Sequence, residues 1–188
     1  MTTYDKLIQL ADTCIQRDGF HGFSFSDLAE GVGIRKASIH HHFPTKIDLG
    51  IAYCEYKNAL FMQLNEHLQT IPAGKQRLTG YLEAFSNCAK QGEMCGIYAM
   101  LSDSHTFPPE LQQAVGRLVQ TELDILEALL LSGVKCGDLT LNRLSAQEQA
   151  IIVSTTLKGA LMLNRLPPHD AYRKTSAALL KTLSAGSE

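Results

Sequence analysis

Residues 24–49 read SFSDLAEGVGIRKASIHHHFPTKIDL, and their punctuation decides how this part of the chain folds. Ser24 is a natural helix N-cap, and Asp27 three residues on lies in the first turn, where negative charge suits the helix dipole. Leu28, Ala29 and Val32 make one apolar side, and Ala29 is small enough to let another helix approach. Gly33 stands where the chain reverses, a position that often demands a positive φ. Ile34 and Ile39 supply the buried contacts of the next segment. Pro44 ends it, because the residue before a proline is driven out of helical conformation. Thr45 then caps a further helix starting at Lys46. Two short helices about a tight turn form a helix-turn-helix, whose second helix fits the major groove of DNA.

Outward from this stretch the periodicity stays helical. Leu7, Leu10, Ala11, Cys14 and Ile15 follow the spacing of one helix face, and Gly19 stops that helix. Phe20, Phe23 and Phe25 then predict a small aromatic core holding the first helix against the next two. A long helix is expected from Lys46 to Gln69, closed by Pro72-Ala73-Gly74. Further helices are expected over 75–90, 94–105 and 109–132, the last opened by Pro108-Pro109. Residues 134–143 read as a loop. Ser145 and Glu148 form a capping box opening a helix to about Arg165. Pro167-Pro168 breaks it, and a last helix covers 170–183. The expectation is an all-α chain of about nine helices, without repeats.

The 188 residues are 45% hydrophobic and 19% charged, with a formal charge of -2. That balance provides no global basic field, so nucleic-acid binding must rest on a local patch. Residues 33–46 supply one: Arg35, Lys36, Lys46 and three histidines with no acid, flanked by Asp27, Glu30 and Asp48. Asp5 interrupts the N-terminal stretch, and the apolar runs at 125–134 and 150–163 are too short to span a bilayer. A cytoplasmic protein with no membrane partner is expected. Five scattered cysteines without a CxxC pair predict reduced thiols. His40, His41 and His42 tempt a metal reading, but successive helical residues point about 100° apart and do not converge on one ion. No metal and no cofactor are expected. No enzyme is expected either, because Cys95 and His105 have no third group to orient them.

The stretch Ser24, Leu28, Ala29, Val32-Gly33-Ile34-Arg35, Ile39-His40, His42-Phe43, Lys46 and Leu49 resembles the TetR (tetracycline-repressor-like, TetR/AcrR) family of transcriptional regulators. The resemblance implies an N-terminal three-helix DNA-binding domain over residues 1–61, with its motif at 24–43. It also implies a ligand-binding and dimerisation domain over 62–188. Ser24 falls within the DNA-binding set. Arg35, Lys36, Ala37 and His41 fall where the recognition helix faces base edges, and Ser38, His40 and Lys46 where phosphates are contacted. Two departures stand out: His40 replaces the usual tyrosine, and Arg35 replaces the usual Ser or Thr cap. The implied partners are a double-stranded, palindromic operator, a small-molecule effector and a second copy of the chain, with release of a repressor as the mechanism.

Phe61, Met62, Tyr81, Phe85, Cys88, Cys95, Tyr98, His105 and Phe107 either line an effector cavity or pack an ordinary core. Glu122 lies on the stripe Leu111, Val115, Leu118, Ile125 and Leu129. It therefore either faces a polar corner of the cavity or is solvated, with Val119, Leu123, Leu126 and Leu130 buried instead. Cys88 and Cys95 are the candidates if the effector is an oxidant or electrophile. Leu157, Ala160, Leu161, Tyr172, Ser176, Leu179, Leu180 and Leu183 mix small and apolar side chains in the last two helices and are expected at a two-fold interface.

Overall fold

The computed structural model describes residues 1–186. Its helices are α1 (Thr3–Asp18), α2 (Phe25–Val32), α3 (Lys36–His42), α4 (Lys46–Gln69), α5 (Lys75–Glu83), α6 (Ser86–Gln91), α7 (Gly96–Asp103), α8 (Pro109–Lys135), α9 (Ala146–Leu163) and α10 (Ala171–Leu183). A 3-10 turn, Ser104–Thr106, follows α7. The architecture is all-α; among the described residues the only extended pairing is an isolated bridge between Leu139 and Ser184. Among the described residues no helix is long and apolar enough to cross a membrane.

The chain packs as two units. The first holds Met1–Ala59 and Cys95–Val119; the second holds Leu60–Met94 and the residues from Gln120 onward. This packing division does not follow chain order, whereas the domains expected at 1–61 and 62–188 were functional ones. The two descriptions share residues 1–59.

In the first unit, α1 starts at a capping box in which Thr2 and Asp5 bond each other's backbone N–H. It buries Leu7, Ile8, Ala11, Cys14 and Ile15. Gly19 ends it at φ 82, a backbone region costly for side chains with a Cβ. The expected aromatic core is present: Phe20, Phe23 and Phe25 are all buried, with the Phe20 and Phe23 rings edge-to-face. A fourth ring joins from far along the chain, Phe107 at 5.0 Å from Phe20. Phe107 therefore packs this core, beside Phe20 and His21. Asp12 ties α1 to α4 through two donors, Tyr53 Oη at 3.0 Å and Lys57 Nζ at 3.1 Å. Gly96 opens α7 against that site, where a Cβ would lie 2.0 Å from Tyr53 Oη.

In the second unit, α9 starts at the Ser145–Glu148 capping box, and the Leu141–Leu144 turn precedes it. The helix expected over 75–90 is two helices. Phe85 sits at φ -99, ψ 1, outside helical conformation, and its ring lies 5.3 Å from Tyr81 and 6.2 Å from Phe61. Packing of that ring overrides local helix continuity. Tyr172 on α10 donates its hydroxyl to the Leu82 carbonyl at 2.6 Å. Asn164 donates to the Ala89 carbonyl and accepts the Tyr172 N–H, so α5, α6, α9 and α10 are pinned at one end.

Candidate functional site

The helix-turn-helix is built by reciprocal capping and one left-handed residue. Ser24 Oγ accepts from the N–H groups of Ser26 and Asp27, and Asp27 accepts from the Ser24 N–H at 2.7 Å. Those Ser24 bonds hold the Asp27 carboxyl below the usual carboxylate range. Gly33 at φ 74 ends α2 and returns its N–H to Ala29 and Glu30. The Ser24 hydroxyl thus serves α2 as its cap, whatever else it touches.

Around α3 the burial is one-sided. Ile39 is fully buried, while Arg35, Lys36, Ala37, Ser38, His40 and His41 are exposed. Arg35 occupies the N-cap position in extended conformation and makes no side-chain capping bond. His40 Nδ1 lies 3.1 Å from the Pro44 carbonyl and its ring packs edge-on to Phe25 at 5.1 Å. That fixes the ring at the exit of the recognition helix. His42 is half-buried, edge-on to Tyr4, and Tyr4 also stacks on Phe43. The outer face of α3 therefore carries the chemistry that major-groove and phosphate contacts use: cationic and hydroxyl donors and one small apolar side chain.

The Lys46 side chain turns inward. Its ammonium donates to the Phe23 carbonyl and lies 4.1 Å from the Phe23 ring centroid and 5.1 Å from that of Phe20. Partial burial lowers its pKa. A half-buried lysine with a carbonyl acceptor and two aromatic faces is held inward by hydrogen bonding and cation–π attraction. Its side chain braces the aromatic core rather than reaching for phosphate. Its backbone still opens α4, where Thr45 and Asp48 form a reciprocal cap.

The second unit contains a buried polar cluster. Glu122 is 2% exposed. Tyr81 Oη donates to its Oε1 at 3.0 Å, Ser154 Oγ to its Oε2 at 3.0 Å, and the Lys158 ammonium to Oε2. Glu122 is thus buried and paired, and the solvated alternative does not hold. Its whole stripe, Leu111 to Leu129, is buried, along with Leu126 and Leu130. Lys158 was the residue missed. The signal was in the sequence: one cation inside the apolar run of α9 needs an anion opposite it.

The ten expected cavity residues are divided between the two units. Phe61, Tyr81, Phe85, Cys88 and Glu122 belong to the second unit. Cys95, Tyr98, His105 and Phe107 belong to the first. Met62 is 46% exposed. The expected interface set also needs correction. Leu157, Ala160, Leu161, Tyr172, Leu179 and Leu183 are buried within the protomer, so those side chains face its own core. Ser176 and Leu180 are half-buried. The outward face of α9 is instead Ile151, Ile152, Thr155, Gly159 and Leu163, within about 120° of the helix circumference.

An exposed recognition helix on a glycine turn defines a helix-turn-helix protein. Comparison with known proteins agrees: residues 7–53 match the family model for bacterial regulatory proteins, tetR family. The chain resembles the crystal structure of a TetR-family transcriptional regulator from Agrobacterium tumefaciens, with a TM-score of 0.90 and 27% identity over 97% of this chain and 98% of that one. It is 35% identical over 66 residues to the HTH-type transcriptional regulator CymR of Pseudomonas putida, a match covering 35% of this chain and 31% of that protein. A putative transcriptional regulator from Saccharomonospora viridis, solved in complex with choline, shares the fold with a TM-score of 0.75 at 19% identity, covering 96% of this chain and 97% of that one. Residues 7–53 thus carry the tetR-family helix-turn-helix, and the chain as a whole resembles TetR-family transcriptional regulators.

Proposed function

We propose that this protein is a repressor that binds a palindromic operator as a cytoplasmic homodimer and is released by a small-molecule effector. The observation that carries the DNA-binding part is the one-sided α3: Arg35, Lys36, Ala37, Ser38 and His41 stand in solvent over a buried Ile39. In this reading Arg35 and Lys36 reach base edges or phosphates, Ala37 meets a thymine methyl and Ser38 donates to phosphate. His40 serves as an oriented donor or acceptor at the helix exit.

Dimerisation is supported by the outward face of α9. Ile151, Ile152, Leu163 and Leu166, just beyond the helix, are 42–69% exposed. A continuous apolar face of this kind marks an interaction surface. A second copy placed there by a two-fold axis presents two recognition helices to successive major-groove faces. Effector binding is supported by the Glu122–Lys158 cluster, which gives the second unit a polar anchor inside an apolar interior. That the fold accommodates a small molecule is illustrated by the choline complex. An effector that prefers the non-binding separation of recognition helices shifts the population away from the operator.

The test is a mobility-shift titration of the full chain on its own upstream DNA. A specific complex of two chains, weakened by Arg35→Ala, supports the reading; no complex, or one indifferent to Arg35→Ala and Lys36→Ala together, ends it. The cysteine-sensing alternative is tested alongside. Burial pushes the Cys54 thiol up to about 12 and raises that of Cys14, which makes both poor nucleophiles. Release from DNA by an electrophile that is lost in Cys88→Ser or Cys95→Ser identifies a sensor; release unaffected by either substitution rules it out.

A further inference from the structure

A groove of about 430 Å³ runs along the outside of the second unit between α5, α6 and α10, away from the residues of the Glu122 cluster. Its lining is mostly apolar, with Leu82, Ala89 and Tyr172 buried, Leu180 half-buried and Ala177 exposed. Its volume lies in the range of small-molecule sites, which combine an apolar lining with a few placed polar groups. The walls are preformed. Tyr172 Oη bonds the Leu82 carbonyl and Asn164 bonds both the Ala89 carbonyl and the Tyr172 N–H, so three elements are fixed before any ligand arrives.

The polar groups left over share one chemistry. Ser176 Oγ lines the groove, is buried and has no hydrogen-bond partner. Such a hydroxyl calls for an acceptor, because burying it unbonded is unfavourable. Lys90 and Arg173 stand on the rim. Arg173 has only a long contact with Asp170, at 3.8 Å, because Asp170 is already held by Lys174 at 2.7 Å. The rim also carries Glu83 and His169, and His169 Nδ1 engages the Asn164 carbonyl at 2.7 Å. With Lys174 and Asp170 just outside the lining counted in, three cations stand against two carboxylates, Glu83 and Asp170, which leaves a single excess positive charge above an apolar trough with one unbonded hydroxyl.

We propose that this groove binds a small amphipathic monoanion. The apolar body lies on Leu82, Tyr172, Ala177 and Leu180, and the carboxylate head is held by Lys90 and Arg173 and accepts from Ser176. Charge complementarity selects the anion, and the preformed walls lower the ordering cost of binding. The site is independent of operator recognition, so failure of the DNA titration above leaves its test intact.

The test is calorimetric titration of the full chain with octanoate and, separately, with octanamide. One octanoate per chain is expected, with octanamide at least about tenfold weaker because it lacks the charge. Lys90→Gln with Arg173→Gln removes that preference while leaving octanamide binding unchanged. Ala177→Leu, at an exposed position that tolerates a larger side chain, fills the trough and abolishes both. A shift of the Ala177 methyl resonance on octanoate addition, followed by NMR in the wild type, gives a second readout, and its absence counts against the proposal. No octanoate binding, equal affinity for acid and amide, or binding that survives Ala177→Leu overturns the proposal.

Discussion

At the scale of single residues, the interface divides into side chains that face solvent and side chains that hold the motif together. Arg35 and Lys36 are of the first kind, so each alanine substitution is expected to reduce the slope of log affinity against log salt by about 0.9. Lys46→Met is expected to weaken binding without changing that slope, because the Lys46 ammonium is held by the Phe23 carbonyl and ring. Fluorescence anisotropy across a salt series separates the two cases; an equal drop in slope for Lys46→Met refutes the inward placement. Ser24 belongs to the second kind. Its bonds depress the Asp27 carboxyl, so the stability they confer is present above the ordinary carboxylate pKa and fades as pH falls through the depressed one. In Ser24→Ala, which removes the hydroxyl bond but keeps the backbone N–H, the Asp27 carboxyl is expected to titrate part of the way back toward its ordinary value by NMR, with a lower melting temperature at neutral pH than the wild type. An Asp27 titration that does not move would show that another group depresses it.

Gly33 and Gly96 illustrate two different reasons for a glycine. A Cβ at Gly33 meets nothing within 4 Å, so Gly33→Ala faces only the left-handed backbone, a cost of about 1 kcal/mol in urea denaturation. At Gly96 the backbone is unremarkable and the cost is steric, since Tyr53 Oη is 2.0 Å from where the Cβ would stand. Gly96→Ala is therefore expected to be the more damaging change, and to be partly rescued by Tyr53→Phe. Absence of rescue would mean that the hydroxyl is not what the methyl meets.

Among elements, α8 and α9 are joined by charge as well as by apolar contact. Removing one partner of a buried pair strands the other charge, so Lys158→Met is expected to cost roughly 3–5 kcal/mol. Combining it with Glu122→Leu replaces both charges by apolar groups and is expected to recover most of that loss. Chemical denaturation of the two single variants and the double variant checks this; additive losses would show that the two residues do not act as a pair. The same helices show how far periodicity reads. The α8 stripe from Leu111 to Leu129 was legible from spacing and is buried throughout. The partner of Glu122 was not, because Lys158 lies 36 residues away and only packing brings the two side chains together. The break at Phe85 was equally hidden: its local sequence favours continuity, and the ring's contacts with Phe61 and Tyr81 decide otherwise.

At the scale of the whole molecule, the proposed dimer uses a face that only burial identifies. Leu157, Ala160 and Leu161 were expected at the interface because they mix small and apolar side chains, and that side of α9 proved to be interior. The outward side, with Ile152 and Leu163, is where a second copy is expected. Ile152→Lys with Leu163→Lys should shift the sedimenting species from dimer to monomer and lower operator affinity at least about tenfold. Leu161→Ala should instead lower stability and leave the dimer intact. A dimer that persists in the lysine variant places the interface elsewhere.

The sequence by itself determined the local structure of this protein. Ser24, Asp27, Gly33, Ile39 and Pro44 act within a few residues of themselves, through caps, backbone conformation and helical period, so the helix-turn-helix and most helix boundaries follow from the chain. The tertiary structure alone decided which groups meet. Lys46 turned from the DNA face to the aromatic core, Phe107 joined Phe20, Lys158 found Glu122, and one of two similar faces of α9 became interior. Each of these depends on contacts between residues distant in sequence, where burial, shape and the need to pair a desolvated charge outweigh any local preference.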